Sequence, residues 1–226
     1  MFERLLDLLL PVRCGGCGQF GALYCERCRL RTHRLREPLC RRCGAEVEFA
    51  KARCGCRDRL HALGRLRSAA RYEGPLERAI HRFKYERRRP LAKPLAELLA
   101  DRLAVDGPAG EFIAWVPLHP RRQWERGYNQ SELLAAELAR RFGLPSGPGR
   151  LLRTRDTRAQ VGLDRRRRLL NVAGAFTWRG QDLGRRSVIL IDDVATTGAT
   201  LEACAQALRA AGAGVVTGLT VARVQL

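Results

Sequence analysis

Apolar residues recur along most of the chain at spacings that assign elements directly. Leu76, Ile80 and Phe83 fall on one side of a helix opened by Gly74-Pro75, and Leu91, Leu95, Leu98 and Leu99 continue a second helical stripe. Phe112 to Val116 is a short apolar run ended by Pro117, which predicts a buried strand. Leu134, Leu138 and Phe142 stand four apart, predicting a helix over 129–142 that Gly143 and Pro145 stop. Leu151-Leu152 is a candidate second strand, followed by a very basic segment from Arg153 to Arg168. Val188 to Ile191 is apolar and β-branched, the composition of a central strand. Leu201, Cys204, Leu208 and Ala211 mark the next helix, closed by Gly212, and Val215 to Val221 reads as a last strand. Strand and helix alternate, so the fold class expected is α/β with a mainly parallel sheet.

Residues 1 to about 60 differ: they are rich in Cys, Gly and Arg and have too few apolar runs to build a core. The expected division is therefore a small module over 1–62 and an α/β domain over 63–226. Met1 to Pro11 reads as an amphipathic helix, because Glu3, Arg4 and Asp7 interrupt its leucines and it is too short to span a bilayer. Of nine cysteines, only Cys204 lies outside the first quarter of the chain. With no export signal and no transmembrane segment, a reducing, cytoplasmic compartment is expected, where clustered thiols bind metal rather than each other. The pairs are Cys14-x-x-Cys17, Cys25-x-x-Cys28, Cys40-x-x-Cys43 and Cys54-x-Cys56. Four thiolates per site fit tetrahedral structural zinc with no open position for water. The simplest pairing joins the first four and the last four; interleaving, and one zinc rather than two, remain open. Cys204 sits on an apolar helix face and reads as core packing.

The charge is strongly basic, +19 with a pI near 10.9, which suits phosphate-bearing partners. Arginine runs through the whole chain, however, so an arginine-favouring genome accounts for the same excess. The sharper signal is the segment Val188-Ile189-Leu190-Ile191-Asp192-Asp193-Val194-Ala195-Thr196-Thr197-Gly198-Ala199-Thr200. It is a buried strand, two carboxylates at its carboxyl end, a small-residue loop, then a helix start. Parallel sheets bind ligands at that end. Backbone N–H groups of such a loop, with a helix N-terminus behind them, suit a phosphate, and paired carboxylates suit a ribose diol. Two further segments point to the same edge. Val116-Pro117-Leu118-His119-Pro120-Arg121-Arg122, continuing to Arg126-Gly127-Tyr128-Asn129-Gln130, offers a Pro-framed turn whose paired arginines suit a pyrophosphate. Gln160 to Asn171, with Arg165 to Arg168 inside it, is either a charged helix face or a loop bringing cations to the site.

The Asp-Asp-Thr-Thr-Gly segment resembles the phosphoribosyl-diphosphate (PRPP) motif of type I phosphoribosyltransferases. That resemblance implies that Asp192 and Asp193 hold the ribose hydroxyls and that Ala195, Thr196, Thr197, Gly198, Ala199 and Thr200 cradle the 5-phosphate. Arg121, Arg122, Gln160, Arg165 and Arg168 would then receive pyrophosphate, and Mg2+ would accompany PRPP. Taken with the preceding cysteine pairs and with Arg71-Tyr72-Glu73-Gly74-Pro75 and Phe83-Lys84-Tyr85, the order of motifs resembles the ComF family over nearly the whole chain. The resemblance implies a role in natural competence on incoming single-stranded DNA, with a competence helicase as a partner, and a phosphoribosyltransferase whose acceptor the motifs do not reveal. The rival reading is a non-catalytic protein sensing PRPP or a nucleotide and binding single-stranded DNA. Its stacking candidates are Tyr72, Tyr85, Trp115, Trp124, Tyr128 and Trp178, in a chain with only 6% aromatic residues.

Overall fold

The computed structural model describes residues 12–49, 54, 56, 59–107, 110–145, 149–155, 172 and 174–225. The helix expected over Met1 to Pro11 and the Gln160 to Asn171 segment, with Gln160, Arg165 and Arg168, lie outside the described residues. The elements in chain order are α1 (Glu26–Leu30), β1 (Arg65–Arg71), α2 (Gly74–Tyr85), a 3-10 turn (Arg89–Leu91) and α3 (Ala92–Asp106). They continue with β2 (Phe112–Trp115), α4 (Pro120–Arg126), α5 (Gln130–Phe142), β3 (Gly149–Arg153) and β4 (Phe176–Gly180). The last three are β5 (Val188–Ala195), α6 (Ala199–Ala210) and β6 (Val216–Arg223).

Four strands form a parallel sheet in the order β1-β6-β5-β2. The register sets Val188 beside both Phe112 and Val216, and Leu66 beside Gly218. Side-chain alternation along β5 explains the layers. Ile189 and Ile191 point into a core shared with α2, α3 and α5, while Val188 and Leu190 point into a second core shared with α6. A strand covered on both faces needs apolar residues at successive positions, which is why Val188 to Ile191 has no polar alternation.

Two elements depart from the sequence expectation. Leu151-Leu152 does form a strand, β3, but pairs antiparallel with β4 (Leu151 opposite Trp178) as a separate two-stranded ribbon. The Pro-framed turn at Arg121-Arg122 is a short helix, α4, with Pro120 at its first turn, where the missing N–H costs nothing. Strand β1 is absent from the sequence reading because Arg67, Ser68, Ala69 and Ala70 give no apolar run. All four are nevertheless buried. The Arg67 guanidinium donates to the carbonyls of Cys40 and Arg41, and Ser68 pairs with Thr220 of β6 at 2.6 Å.

The cysteine-rich segment docks on both faces of the sheet. Cys14, Tyr24 and Cys28 belong to the core under α2 and α3; Cys43, Cys56, Leu60 and Leu63 belong to the core under α6. Arginines fasten it. Arg82 donates to the Cys14 and Gly15 carbonyls at 2.9 and 3.0 Å, and Arg78 to Gly16 at 2.6 Å. Arg223 donates to the Cys43 carbonyl at 2.6 Å. Gly44 has φ +67, and a Cβ there would stand 2.6 Å from the Leu66 carbonyl oxygen, so both the turn and the close approach to β1 require glycine.

Candidate functional site

The carboxyl end of β5 opens into a cavity of about 430 Å³ lined by Tyr72, Lys84, Tyr85, Arg122, Arg153, Asp192, Asp193 and the turn that follows them. Asp193 is 7% exposed, and the Lys84 ammonium, from the last turn of α2, lies 2.9 Å from its Oδ1. Asp192 Oδ1 accepts from the Ser131 hydroxyl at 2.8 Å and from the Asp193 N–H at 2.9 Å. Ser131 is itself set by Asn129. The Asn129 side chain caps α5 by accepting the Ser131 N–H at 3.0 Å and donates to the Val116 carbonyl at the end of β2. The Tyr128 hydroxyl donates to the Phe83 carbonyl, one residue before Lys84. Tyr128 and Asn129 of the Arg-Gly-Tyr-Asn-Gln segment therefore help to position both members of the acid pair.

Burial and the adjacent Asp193 carboxylate push Asp192 up to about 7, against the opposing pull of Lys84 and Ser131. For Lys84, burial favours the neutral amine, but the facing Asp193 and Asp192 carboxylates outweigh it and raise its pKa.

Of the expected phosphate cradle, Ala195, Thr196, Gly198, Ala199 and Thr200 line the cavity. Thr197 is buried, and its hydroxyl accepts the Ala199 N–H at 3.3 Å, closing the turn. Gly198, at φ +83, lets the turn pass into α6. Behind it, the Glu202 carboxylate accepts the N–H groups of His61, Ala62 and Leu63 at 2.9, 2.7 and 3.0 Å. The two expected arginines separate: Arg122 lines the cavity, whereas Arg121 is 74% exposed and pairs with Glu125 at 3.2 Å.

Sequence reasoning did not assign Lys84, Ser131, Arg153 or Glu202 to the site. Lys84 carried a signal only as part of the Phe83-Lys84-Tyr85 block. Ser131 and Glu202 lie on helices whose register against the strand ends no local pattern gives.

The cysteines gather as Cys14, Cys17, Cys25 and Cys28, and as Cys40, Cys43, Cys54 and Cys56, with the Sγ atoms of each set within 4.8 Å of one another. This is the first-four, last-four pairing. Contacts of 3.7 Å (Cys14–Cys28, Cys17–Cys25 and Cys40–Cys56) and 3.5 Å (Cys43–Cys54) match the edge of about 3.8 Å that four Zn–S bonds of about 2.3 Å make in a tetrahedron. The donor set thus fits zinc at both places. Backbone N–H groups of Gly16 and Cys25 point at Cys14 Sγ, and the Arg223 guanidinium lies 3.8 Å from Cys43 Sγ. Burial alone would raise Cys14, but the backbone donors of Cys25, Cys17 and Gly16 outweigh it and bring it to about 6. Cys204 is fully buried in the core under α6. Among the described residues, no helix is long and apolar enough to cross a membrane.

A parallel α/β sheet consistent with the type I phosphoribosyltransferase fold, fronted by two zinc ribbons of four cysteines each, is the class that fold and site define. Residues 5–59 match the double zinc ribbon domain model. The chain is 36% identical over 219 residues to DNA utilization protein YhgH of Salmonella typhi, covering 92% of this chain and 96% of that protein. It is 34% identical over 185 residues to Competence protein F of Haemophilus influenzae, covering 77% and 80%. Competence protein ComFC of Bacillus subtilis matches at 28% over 208 residues, covering 88% and 83%. The chain belongs to the ComF family of competence protein F and YhgH.

Proposed function

We propose that this protein binds PRPP, or a related ribose phosphate, in the cavity at the end of β5 and serves natural competence in the handling of incoming single-stranded DNA. The reading rests on one arrangement. Asp192, Asp193, the turn from Ala195 to Thr200 apart from Thr197, Arg122 and Arg153 all line a single cavity at the carboxyl end of a parallel strand. Diol hydroxyls would donate to the carboxylates, the 5-phosphate would accept from the turn and from the N-terminus of α6, and the arginines would receive the diphosphate. Mg2+ would enter on the diphosphate oxygens, where it neutralises the leaving group. Transfer would break the C1–O bond of PRPP, join C1 to an acceptor and release pyrophosphate. The protein's contribution is position and charge. The reading extends to the division of the chain, with 1–62 as a ribbon module bracing a phosphoribosyltransferase-like domain over 63–226. The names of the relatives, DNA utilization protein and competence protein, supply the biological half.

Calorimetric titration of magnesium-PRPP into zinc-loaded protein tests it. Saturable binding, lost when Asp192→Asn and Asp193→Asn are combined, is the expected result; equal affinity in the double variant refutes the pocket. A second reading, of a non-catalytic PRPP or nucleotide sensor that holds single-stranded DNA, draws on α4. That helix buries none of its residues, yet carries Trp124 at 83% exposure, close in sequence to Arg122 of the cavity wall. Tyr85, 58% exposed, lies under the Arg126 guanidinium. Exposed aromatics beside arginines stack bases. Binding of PRPP without turnover on any nucleobase, amine or DNA acceptor, together with Trp124 fluorescence quenched by oligothymidylate, favours this second reading.

A further inference from the structure

Two adjacent carboxylates facing a phosphate site ordinarily invite a divalent cation. Here Asp193 already faces a cation, and it is covalently part of the fold. Lys84 Nζ stands 2.9 Å from Asp193 Oδ1, and the two side chains are only 19% and 10% exposed. The lysine is held from both sides. Phe83 is wholly buried in the core, and its carbonyl accepts the Tyr128 hydroxyl. That anchors the end of α2 and directs Lys84 to the cavity, which it lines with Tyr72 and Tyr85. The second carboxylate is committed to Ser131.

We propose that Lys84 is a specificity-determining residue of this pocket: its ammonium takes at Asp193 the place a divalent ion would hold, so the acid pair receives a sugar hydroxyl directly and keeps metal off Asp193. The proposal rests on reading the cavity as a ribose-phosphate site. The chemistry follows from the donor inventory. An ammonium has three N–H donors, and the Asp193 contact takes one. A hydroxyl beside the pair can donate to Asp193 and accept from Lys84 at once, which neither a carbonyl nor a methylene can do. A divalent ion on Asp193 would sit against a fixed positive charge in a largely buried site, where like charges repel far more strongly than in water. Any magnesium that enters would do so on the ligand's own phosphates.

Two measurements on full-length, zinc-loaded protein test this. In the first, ribose 5-phosphate, which lacks the diphosphate that would carry its own magnesium, is titrated with Mg2+ and in buffer freed of divalent ions by a chelating resin before the protein is added, so that the ribbons keep their zinc. The wild type should bind equally in both. Lys84→Met should lose about tenfold or more without Mg2+, the cost of a missing charged hydrogen-bond partner, and recover in Mg2+. Lys84→Arg should stay independent of metal. In the second, Mn2+ is titrated without sugar and followed by electron paramagnetic resonance. Lys84→Met should gain a bound Mn2+ that the further change Asp193→Asn removes, a gain that misfolding would not produce. Wild-type binding that collapses without Mg2+, unchanged binding of Lys84→Met without Mg2+, or Mn2+ held on Asp193 in the wild type would each overturn the proposal. Failure of the wild type to bind ribose 5-phosphate and PRPP alike would overturn the reading of the cavity; the Mn2+ experiment would still judge the exclusion of metal by Lys84.

Discussion

Replacing Glu202 by alanine tests how the second zinc ribbon is joined to the turn beneath the candidate phosphate site. The carboxylate is 3% exposed and accepts the N–H groups of His61, Ala62 and Leu63. Truncation orphans all three. Leu63 is fully buried, so its amide should cost about 2 kcal/mol; Ala62 is half-buried and His61 exposed, so water recovers most of theirs, leaving roughly 0.5 kcal/mol each. Loss of a carboxylate in the first turn of α6 adds about 0.5 kcal/mol. The sum is about 3.5 kcal/mol, which for a chain of this size lowers the melting temperature by roughly 10 °C. Differential scanning calorimetry at saturating zinc reads it. Glu202→Gln, which keeps one acceptor oxygen, should lose about half as much. Zinc should also leave the variant faster in the presence of a chromogenic chelator, because the linker of the second ribbon is freed. A melting temperature within 2 °C of wild type for Glu202→Ala, roughly 1 kcal/mol or less, would refute the assignment of those three hydrogen bonds as the joint.

Other outcomes follow from the same geometry. Metal analysis should find two zinc per chain, and Cys43→Ser should abolish one of them while destabilising the end of β6 that Arg223 ties to it. Asp192 has a folded-state pKa raised to about 7 above an unfolded value near 4. The folded state then binds the extra proton, so stability falls as pH rises from about 4 to 7 and stays reduced above it. Asp192→Asn should therefore melt higher relative to wild type at pH 8 than at pH 4, and a constant difference across that range would count against the shift. Gly198→Ala should weaken binding of the phosphate ligand more than fivefold in calorimetry and destabilise by about 1–2 kcal/mol. The backbone there is left-handed, and a Cβ would press on Leu60 Cδ2 at 3.2 Å.

The strands and helices that carry continuous apolar stripes were legible in sequence, as was the grouping of cysteines by spacing. What escaped was held by polar contacts that no periodicity encodes. Strand β1 is buried through Arg67 and Ser68, whose partners lie in the ribbon and in β6, so its sequence looks like a surface strand. The β3–β4 ribbon depends on a pairing between segments more than 20 residues apart, and only the first carried an apolar signal. At the site, Asp192, Asp193 and the turn after them were readable because adjacent residues share one strand end. Lys84 and Ser131 reach that point from separate helices and become visible only when the sheet brings those helices together. The arginine excess also divides: Arg67, Arg78, Arg82 and Arg223 are spent on backbone carbonyls of the ribbons, Arg67 and Arg223 from buried positions and Arg78 and Arg82 from nearer the surface.

The pairing of β1 with β6 carries a consequence for biosynthesis. During translation the ribbons and β1 leave the ribosome first, while the strand that pairs with β1 is made about 150 residues later, and it carries Arg223, 180 residues beyond the Cys43 it contacts. Until then β1 has an open hydrogen-bonding edge and the ribbons have no second surface to rest on. Native closure is thus set by a contact of very long sequence separation, which slows folding and leaves an exposed edge for other chains to capture. A nascent chain stalled before Val216 should be recognised as incomplete by the cell's chaperones and proteases, even with both zinc ions in place.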